Sequence, residues 1–181
     1  TLEKISKKNG IDFNETYLLF PEGNNDLLKF ALNELNNDLE AYCKKIDLIR
    51  LPIHKRIRNI LLSKINLMNK EKQFYKIIFL NLLIPKKNFL LSKQLYKSID
   101  QIWFIAGDTS TDFNFYTKRL ILAGIYTRLI LYFFNNNNQK ELEILLDENL
   151  KKVSKIPEIK SKLIILKDYL PKFFNIVKNS N

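Results

Sequence analysis

The chain has 181 residues and a formal net charge of +11, and 46% of its residues are hydrophobic. This hydrophobic content excludes an intrinsically disordered protein. The length allows one domain, or a small domain and a medium-sized one. The single cysteine, Cys43, excludes an intrachain disulfide, and the single histidine, His54, leaves most acyl-transfer triads and metal sites without the imidazole that they need. Because the sequence also lacks a P-loop, a GxGxxG motif and a Glu-x-x-His pair, we expect a binding protein rather than an enzyme, and no cofactor.

Few chain breakers interrupt the sequence, which contains 4 Gly and 5 Pro, so we predict an all-α fold with long helices. The predicted helices cover residues 2–8, 12 or 14 to 20, 26–44, 53–68, 71–84, 88–106, 113–134 and 141–155, with a last helix from about Pro157. The 71–84 segment is apolar nearly all round and is expected to be a central helix. No segment is predicted to span a membrane, since the best candidate, 120–134, is short and contains Arg128.

The first two predicted helices have the spacing of a helix-turn-helix. Residues 2–11 and 16–20, with a glycine turn between them and Pro21-Glu22-Gly23 after them, resemble the DNA-binding head of TetR-type regulators. A DNA reader needs Lys or Arg on the second helix to neutralise phosphates. Residues 11–28 contain neither, and they carry four acids, Asp12, Glu15, Glu22 and Asp26. We therefore predict a scaffold that does not bind DNA, with a plain packing unit of the same spacing as the alternative.

The most distinctive stretch of the chain lies between two predicted helices and includes the ends of both. Its sequence is Ile99-Asp100-Gln101-Ile102-Trp103-Phe104-Ile105-Ala106-Gly107-Asp108-Thr109-Ser110-Thr111-Asp112-Phe113-Asn114-Phe115-Tyr116-Thr117-Lys118-Arg119. Residues 122–126 continue the pattern, and residues 56–58 and 145–147 add weaker matches. This stretch closely resembles the signature of the Coq-nine family, the ubiquinone-biosynthesis accessory proteins of mitochondria and alphaproteobacteria.

The resemblance implies a fold, a ligand and a partner. It implies a TetR-like fold, usually homodimeric, that has lost DNA binding and holds a lipid in an apolar cavity. It further implies a membrane-associated accessory protein that binds isoprenoid quinone intermediates or phospholipid and presents the quinone to the di-iron demethoxyubiquinone hydroxylase. The expected location is the surface of a membrane, at the bacterial cytoplasmic face or the matrix side of the mitochondrial inner membrane. A ligand-sensing TetR-type transcriptional regulator is the alternative function.

The resemblance also implies a surface patch that docks the hydroxylase. The patch would centre on Asp112, Asn114, Phe115 and Tyr116, with Trp103, Gly107, Asp108 and Ser110 in support. Phe115 departs from the family pattern, because relatives often carry Trp or another ring with a polar edge there. Stacking survives this change, but a ring N–H donor is lost. From the residues alone, the 108–112 loop is a set of helix-capping residues and Trp103 is compatible with the core. Adjacent Phe115 and Tyr116 cannot both face inward on a helix, which favours partial exposure of one ring.

A lipid cavity would lie between the two most apolar predicted helices, 74–84 and 120–134. The candidate lining residues are aromatic and branched, namely Phe74, Phe79, Leu83, Tyr126, Leu129, Tyr132 and Phe133. Ordinary core packing explains the same residues equally well. Gly124 in mid-helix costs up to about 1 kcal/mol relative to Ala, which close helix packing or room for a ligand could offset.

The C-terminal segment carries a clean apolar stripe with lysines largely off it. Residues predicted to contact a membrane are Leu163, Leu166, Leu170, Phe173, Phe174 and Val177. A terminal helix docked on its own domain or across a dimer is the alternative, and Pro171 favours a kink or an early end. We therefore divide the chain into a helix-turn-helix head (1–44), a helical lipid-binding domain (45–156) and a C-terminal amphipathic membrane helix (157–181).

Overall fold

A computed structural model of the chain describes residues 2–82, 88–109 and 113–154, together with residues 171 and 175. These residues form helices and turns and contain no strand. The helices are α1 (Leu2–Asn9), α2 (Phe13–Leu19), α3 (Asn24–Cys43), α4 (Ile53–Asn69), α5 (Lys72–Leu82), α6 (Asn88–Ile105), α7 (Phe113–Asn135) and α8 (Gln139–Ser154). The predicted all-α fold is confirmed, and this helix order agrees with a TetR-like arrangement.

Most helix ends lie within two residues of their predicted positions, because the local signals that end helices are present. Gly10 has φ +65° in the turn after α1, and the Asp12 carboxylate accepts from the Asn14 backbone N–H (3.3 Å) at the start of α2. The predicted C-terminal helix, with Leu163, Leu166, Leu170, Phe173, Phe174 and Val177, lies outside the described residues. In the described part of the chain, no helix combines the length and the hydropathy needed to cross a bilayer.

The N-terminal pair α1 and α2 is joined by a small polar contact. The Ser6 hydroxyl donates to the Thr16 hydroxyl (2.9 Å), and both residues are buried. The rest of α2 contributes little to the core, since Tyr17, Leu18 and Leu19 are exposed, Leu18 to 83%. The pair consists of two helices joined by a turn. That it serves as a helix-turn-helix scaffold stays a prediction.

The core is built around α4, which packs against α3, α5, α6, α7 and α8. Its buried apolar residues recur at helical spacing on more than one face, at Ile57, Ile60, Leu61, Ile65 and Met68. A helix with neighbours on several sides can bury that wide a surface, so α4 is the central helix of the fold.

The prediction that the 71–84 segment forms the central helix is wrong. Within the described part of α5, Ile78 is buried, but Ile77 and Leu80 are each 55% exposed. An apolar pattern measures how much surface a helix can bury and does not specify which neighbours cover it. It is α4 that has neighbouring helices on several sides. The helix α5 lies at the edge, and part of its apolar surface stays exposed.

One cation is enclosed in this core. Lys64 of α4 has no exposed surface, and its ammonium donates to the Asn36 side-chain carbonyl (2.7 Å) and lies 5.3 Å from the centroid of the Tyr126 ring. No carboxylate forms a salt bridge with it among the described residues. Burial lowers the pKa of Lys64 to about 7, because the ammonium is desolvated without a compensating charge.

Lys64 is expected to make stability depend on pH above neutrality. Between pH 7 and 10.5 the unfolded chain keeps a proton on this amine that the folded chain has lost, so stability rises with pH by roughly 1 kcal/mol per unit. Urea denaturation at pH 7 and pH 9 should show this rise in the native protein. It should be largely absent in Lys64→Met, which should also be the more stable protein at pH 7.

The matched control is Lys97→Met, which removes an exposed lysine of α6. This variant should keep the native pH dependence. If Lys64→Met and Lys97→Met show the same difference in stability between the two pH values, the assignment to Lys64 is wrong.

Candidate ligand cavity and partner surface

A largely apolar cavity of about 250 Å³ lies between α3, α5, α6 and α7. Its walls are aliphatic and aromatic, with Leu32, Phe79, Leu80, Leu95, Ile130, Leu131 and Phe134. Leu80 and Leu131 are each about half exposed and mark the open side. The Lys76 side chain also lines the cavity and donates to the Phe134 backbone carbonyl (3.1 Å), near the C-terminal end of α7. The described part of the chain contains no group of His, Cys, Asp and Glu that could hold a metal ion.

Three buried polar side chains line the same cavity. Gln94 and Ser98 lie one turn apart on α6, and Tyr126 lies on α7. The Gln94 side-chain carbonyl and the Tyr126 hydroxyl are buried without a hydrogen-bond partner in the described part of the protein. Burial raises the pKa of Tyr126, and a weaker interaction with Ser98 opposes that shift. The phenol therefore stays protonated and able to donate a hydrogen bond.

The structure brings two of the predicted lipid-binding residues, Phe79 and Tyr126, into this cavity. The other described candidates lie elsewhere. Leu129 is a core residue, and Phe133 lines a different cavity, with the Lys72 ammonium 4.7 Å from its ring centroid. Phe74 packs with a small cluster on α3 and Ile78, and the Tyr132 hydroxyl bonds to the Glu141 carboxylate. Leu83 lies outside the described residues.

Sequence reasoning missed Gln94 and Ser98. Their signal is a pair of polar residues four positions apart on a helix whose neighbouring residues Leu95 and Ile99 are apolar. A pair at that spacing shares a helix face, so a buried face with two polar groups was detectable in principle.

The turn between α6 and α7 is held by Arg56 of α4. Its guanidinium donates to the backbone carbonyls of Ile49 (2.7 Å), Leu51 (2.7 Å) and Ala106 (3.0 Å). The last of these carbonyls belongs to the end of α6, where an unpaired carbonyl needs a donor. Gly107 follows with φ +80°, and a Cβ at Gly107 would lie 3.1 Å from Arg56 Nη1. Arg56 and Gly107 therefore fix the direction in which the chain leaves α6.

A charge cluster then connects this turn to α7. The Asp108 side chain is 4% exposed and pairs with Lys118 (2.6 Å) and Arg119 (3.3 Å). Arg119 also pairs with Asp100 of α6 (2.7 Å), and its guanidinium carbon lies 3.3 Å from the centroid of the Phe115 ring. Asp108, which the resemblance placed in support of the patch, is therefore an internal anchor whose carboxylate holds two α7 cations.

Aromatic rings lie next to this cluster. Phe115 and Tyr116 contact edge to face with centroids 5.1 Å apart, and both are partly buried, in line with the expectation that they cannot both point inward. Trp103 is partly buried, with Lys118 Nζ 5.5 Å from its ring centroid. Sequence reasoning missed Phe104, which is 70% exposed at the end of α6. Ser110 and Asp112 lie outside the described residues, as does the side chain of Asn114.

The two weaker parts of the resemblance meet in space. Arg58 of α4 pairs with Asp147 (2.6 Å) and Glu143 (3.0 Å) of α8. These carboxylates raise the pKa of Arg58, chiefly through its hydrogen bonds to Asp147. The pairs are partly exposed, so each contributes modestly to stability, but together they orient α8 on α4.

Comparison with known proteins matches the COQ9 family model to residues 90–157. This range contains the Gln94 and Ser98 side of the cavity, the Arg119 cluster and all of α8. Part of the chain is therefore similar to the COQ9 proteins. The resemblance of the 99–119 stretch to the Coq-nine family is thereby confirmed.

Three relatives show how far the similarity extends. The mitochondrial ubiquinone biosynthesis protein COQ9 of Rattus norvegicus is 47% identical over 55 residues, 29% of this chain and 18% of the relative. That of Bos taurus is 34% identical over 79 residues, 42% of this chain and 25% of the relative. COQ9-A of Xenopus laevis is 28% identical over 122 residues, 62% of this chain and 38% of the relative. The aligned part of the chain thus spans well under half the length of these COQ9 proteins.

The two glycines of this region are expected to respond in opposite directions to alanine. Gly107→Ala should lower the free energy of unfolding by at least about 1 kcal/mol, because a side chain at positive φ is strained and its Cβ would press on Arg56. Gly124→Ala should raise it by up to about 1 kcal/mol, because a mid-helix alanine is favoured. Gly124 is exposed, and a Cβ there would meet no atom of the described residues within 4 Å, so close packing among these residues does not account for this glycine.

Urea denaturation of the two variants beside the native protein measures both effects. Since the substitution is the same at both sites, each variant is the control for the other. A Gly107→Ala protein as stable as Gly124→Ala would show that the turn does not need its left-handed backbone.

Proposed function

We propose that the chain is a non-catalytic, lipid-binding accessory protein of ubiquinone biosynthesis. The observation that carries this proposal is the apolar cavity, whose α6 and α7 walls come from the segment that matches COQ9. The relatives are named ubiquinone biosynthesis proteins. Ubiquinone is an apolar isoprenoid quinone. A cavity with apolar walls and a few polar groups is the usual form of a site for such a molecule.

The size of the cavity suits part of an isoprenoid quinone rather than all of it. A buried CH₂ group contributes about 0.8 kcal/mol, so a single buried five-carbon unit contributes roughly 4 kcal/mol. This alone corresponds to only about millimolar affinity, so the polar contacts in the cavity and the rest of the tail must add to it for the ligand to be retained. The exposed faces of Leu80, Leu131 and Ile77 provide apolar surface around the open side along which such a tail can lie.

The patch at the other end of α6 is the proposed docking surface for the di-iron demethoxyubiquinone hydroxylase. Phe104 is its most exposed aromatic residue, with Phe115 and Tyr116 half-buried on α7. Aromatic residues beside a fixed polar cluster are typical anchors of a protein interface. From Ser98 to Phe104 the rise along α6 is about 9 Å, at about 1.5 Å per residue. A ligand held in the cavity therefore lies close to the docking partner, as presentation of a quinone requires.

Membrane association is part of the same proposal. The lysine-rich apolar stripe of residues 157–181 and the net charge of +11 favour peripheral binding to an anionic surface. The relatives are named mitochondrial proteins, which supports the matrix side of the inner membrane as the location. The bacterial cytoplasmic face is the alternative location. A homodimer is proposed from the resemblance alone.

The cavity can be tested by placing a charge at its open side. Leu131→Glu should reduce the isoprenoid quinone that is retained after gentle purification to less than about one tenth, because a carboxylate would have to be desolvated beside the ligand. Leu131 is half exposed, so the fold should survive. Mass spectrometry of solvent extracts, from a host that makes ubiquinone, gives the quinone-to-protein ratio.

The matched control is Ile144→Glu, at an exposed isoleucine on α8 that does not line the cavity. This variant should retain the native amount of quinone. A quinone-free native protein, or an equal loss in both variants, would contradict the assignment of the cavity.

The docking surface can be tested independently. Phe104→Ala should weaken binding to the purified hydroxylase by about tenfold or more, because truncating a central aromatic anchor costs at least about 1–2 kcal/mol. Ile144→Ala, another exposed apolar truncation, should leave the affinity unchanged. Surface plasmon resonance measures both dissociation constants, and an unchanged constant for Phe104→Ala would move the interface away from this end of α6.

A further inference from the structure

We propose that the buried end of the cavity recognises a neutral ring that bears a hydroxyl group, so that its ligand enters ring first and leaves its tail outside. This inference rests on the proposed function, because it specifies the ligand of the same cavity. The residues that carry it are Gln94, Ser98 and Tyr126. All three are at least nine-tenths buried, and they line the cavity on two different helices.

The first step of the argument is the unpaired state of two atoms. The Gln94 side-chain carbonyl can accept a hydrogen bond and the Tyr126 hydroxyl can donate one, yet neither finds a partner among the described residues. Native interiors rarely leave buried polar atoms unpaired, because each carries its full desolvation cost. In the proposed complex, a ligand group donates to the Gln94 carbonyl and accepts from the Tyr126 hydroxyl within one small space. A hydroxyl group on a ring both donates and accepts, and it does so at a single atom.

The second step concerns charge. The cavity wall contains one cation among the described residues, Lys76, and its ammonium is held by the Phe134 carbonyl. Tyr126 and Phe134 are separated by eight residues, or about 12 Å along α7 at about 1.5 Å per residue. The side chains that line the Gln94 end therefore carry no charge, and the nearby Lys64 ammonium, 5.3 Å from the Tyr126 ring centroid, belongs to a residue that does not line the cavity and donates to Asn36. The burial of a carboxylate or phosphate at this end would be strongly unfavourable. A neutral polar head fits this end of the cavity, and an anionic headgroup does not.

The third step concerns size and direction. A cavity of about 150 Å³ holds a benzene molecule, so the 250 Å³ here accommodates a substituted ring and a short piece of chain. The polar atoms are at the buried side, whereas Leu80 and Leu131 at the open side are about half exposed. The polar ring therefore points inward, and the hydrocarbon chain leaves between α5 and α7.

The test uses two probes that differ by one hydroxyl, 4-propylphenol and propylbenzene. Without hydrogen bonds in the cavity, propylbenzene would bind more tightly, because moving a hydroxyl out of water is unfavourable. Isothermal titration calorimetry of the delipidated native protein should instead show 4-propylphenol binding at least about tenfold more tightly than propylbenzene, the amount expected of one or two satisfied buried hydrogen bonds.

Two conservative variants locate the effect. Tyr126→Phe and Gln94→Met should each weaken 4-propylphenol about tenfold and leave propylbenzene nearly unchanged, since each removes one polar partner and keeps the volume of the side chain. Tyr126→Phe should also stay folded with a Tm near the native value, because the fold loses at most the weak interaction of the hydroxyl with Ser98. A variant with altered binding is therefore distinguishable from one that is unfolded.

Each outcome has a separate meaning. If the native protein binds propylbenzene as tightly as 4-propylphenol, the ring-inward inference is overturned while the lipid cavity stands. If neither probe binds and no isoprenoid is retained, the proposed function is overturned as well. If the phenol preference is present but survives in both variants, the hydroxyl is recognised elsewhere and the assignment to Gln94 and Tyr126 is wrong.

Discussion

The Arg56 guanidinium is the interaction on which the functional end of the molecule depends. It satisfies three backbone carbonyls, two from the segment before α4 and one from the end of α6. Charge-assisted hydrogen bonds of this kind are among the stronger ones in proteins. Because Arg56 projects from the central helix, the end of α6 is fixed relative to the core. That contact therefore helps to position the Gly107 turn and the Asp108 carboxylate, and through them the start of α7.

The helices α6 and α7 are consequently connected by charge pairs near the turn, and they both line the cavity further along. Near the turn, Arg119 connects Asp100 with Asp108, and Lys118 pairs with Asp108 as well. Further from the turn, the same two helices contribute Gln94 and Tyr126 to the wall of the cavity. A buried charge network is weak evidence for stability in itself, but it does favour a single geometry. The arrangement places a fixed protein surface and a ligand space on one pair of helices.

The helices were predictable from the sequence because their ends depend on local residues, as the Asp12 cap and the Gly107 stop show. Which helix lies at the centre was not predictable, because α4 and α5 both carry many apolar residues and differ mainly in the helices that surround them. The cavity was predicted only in part, through Phe79 and Tyr126, since an apolar residue such as Leu129 has the same pattern in a solid core as in a cavity wall. The signature pointed to the correct region, but the burial of Asp108 and the exposure of Phe104 depend on tertiary packing. Within the COQ9-like segment, sequence similarity therefore indicated which region matters. Only the packing of the side chains shows which of its residues are internal anchors and which are exposed.

The reactivity of the Cys43 thiol can report how often the core of the protein opens. The thiol is 4% exposed at the end of α3 within the main core cluster, and burial raises its pKa. It is also the one cysteine of the sequence. A thiol reagent can reach it only when α3 separates locally from α4, so the labelling rate of the native protein follows the frequency of that opening. The rate at which the core opens can thus be measured on the native sequence, without changing a residue.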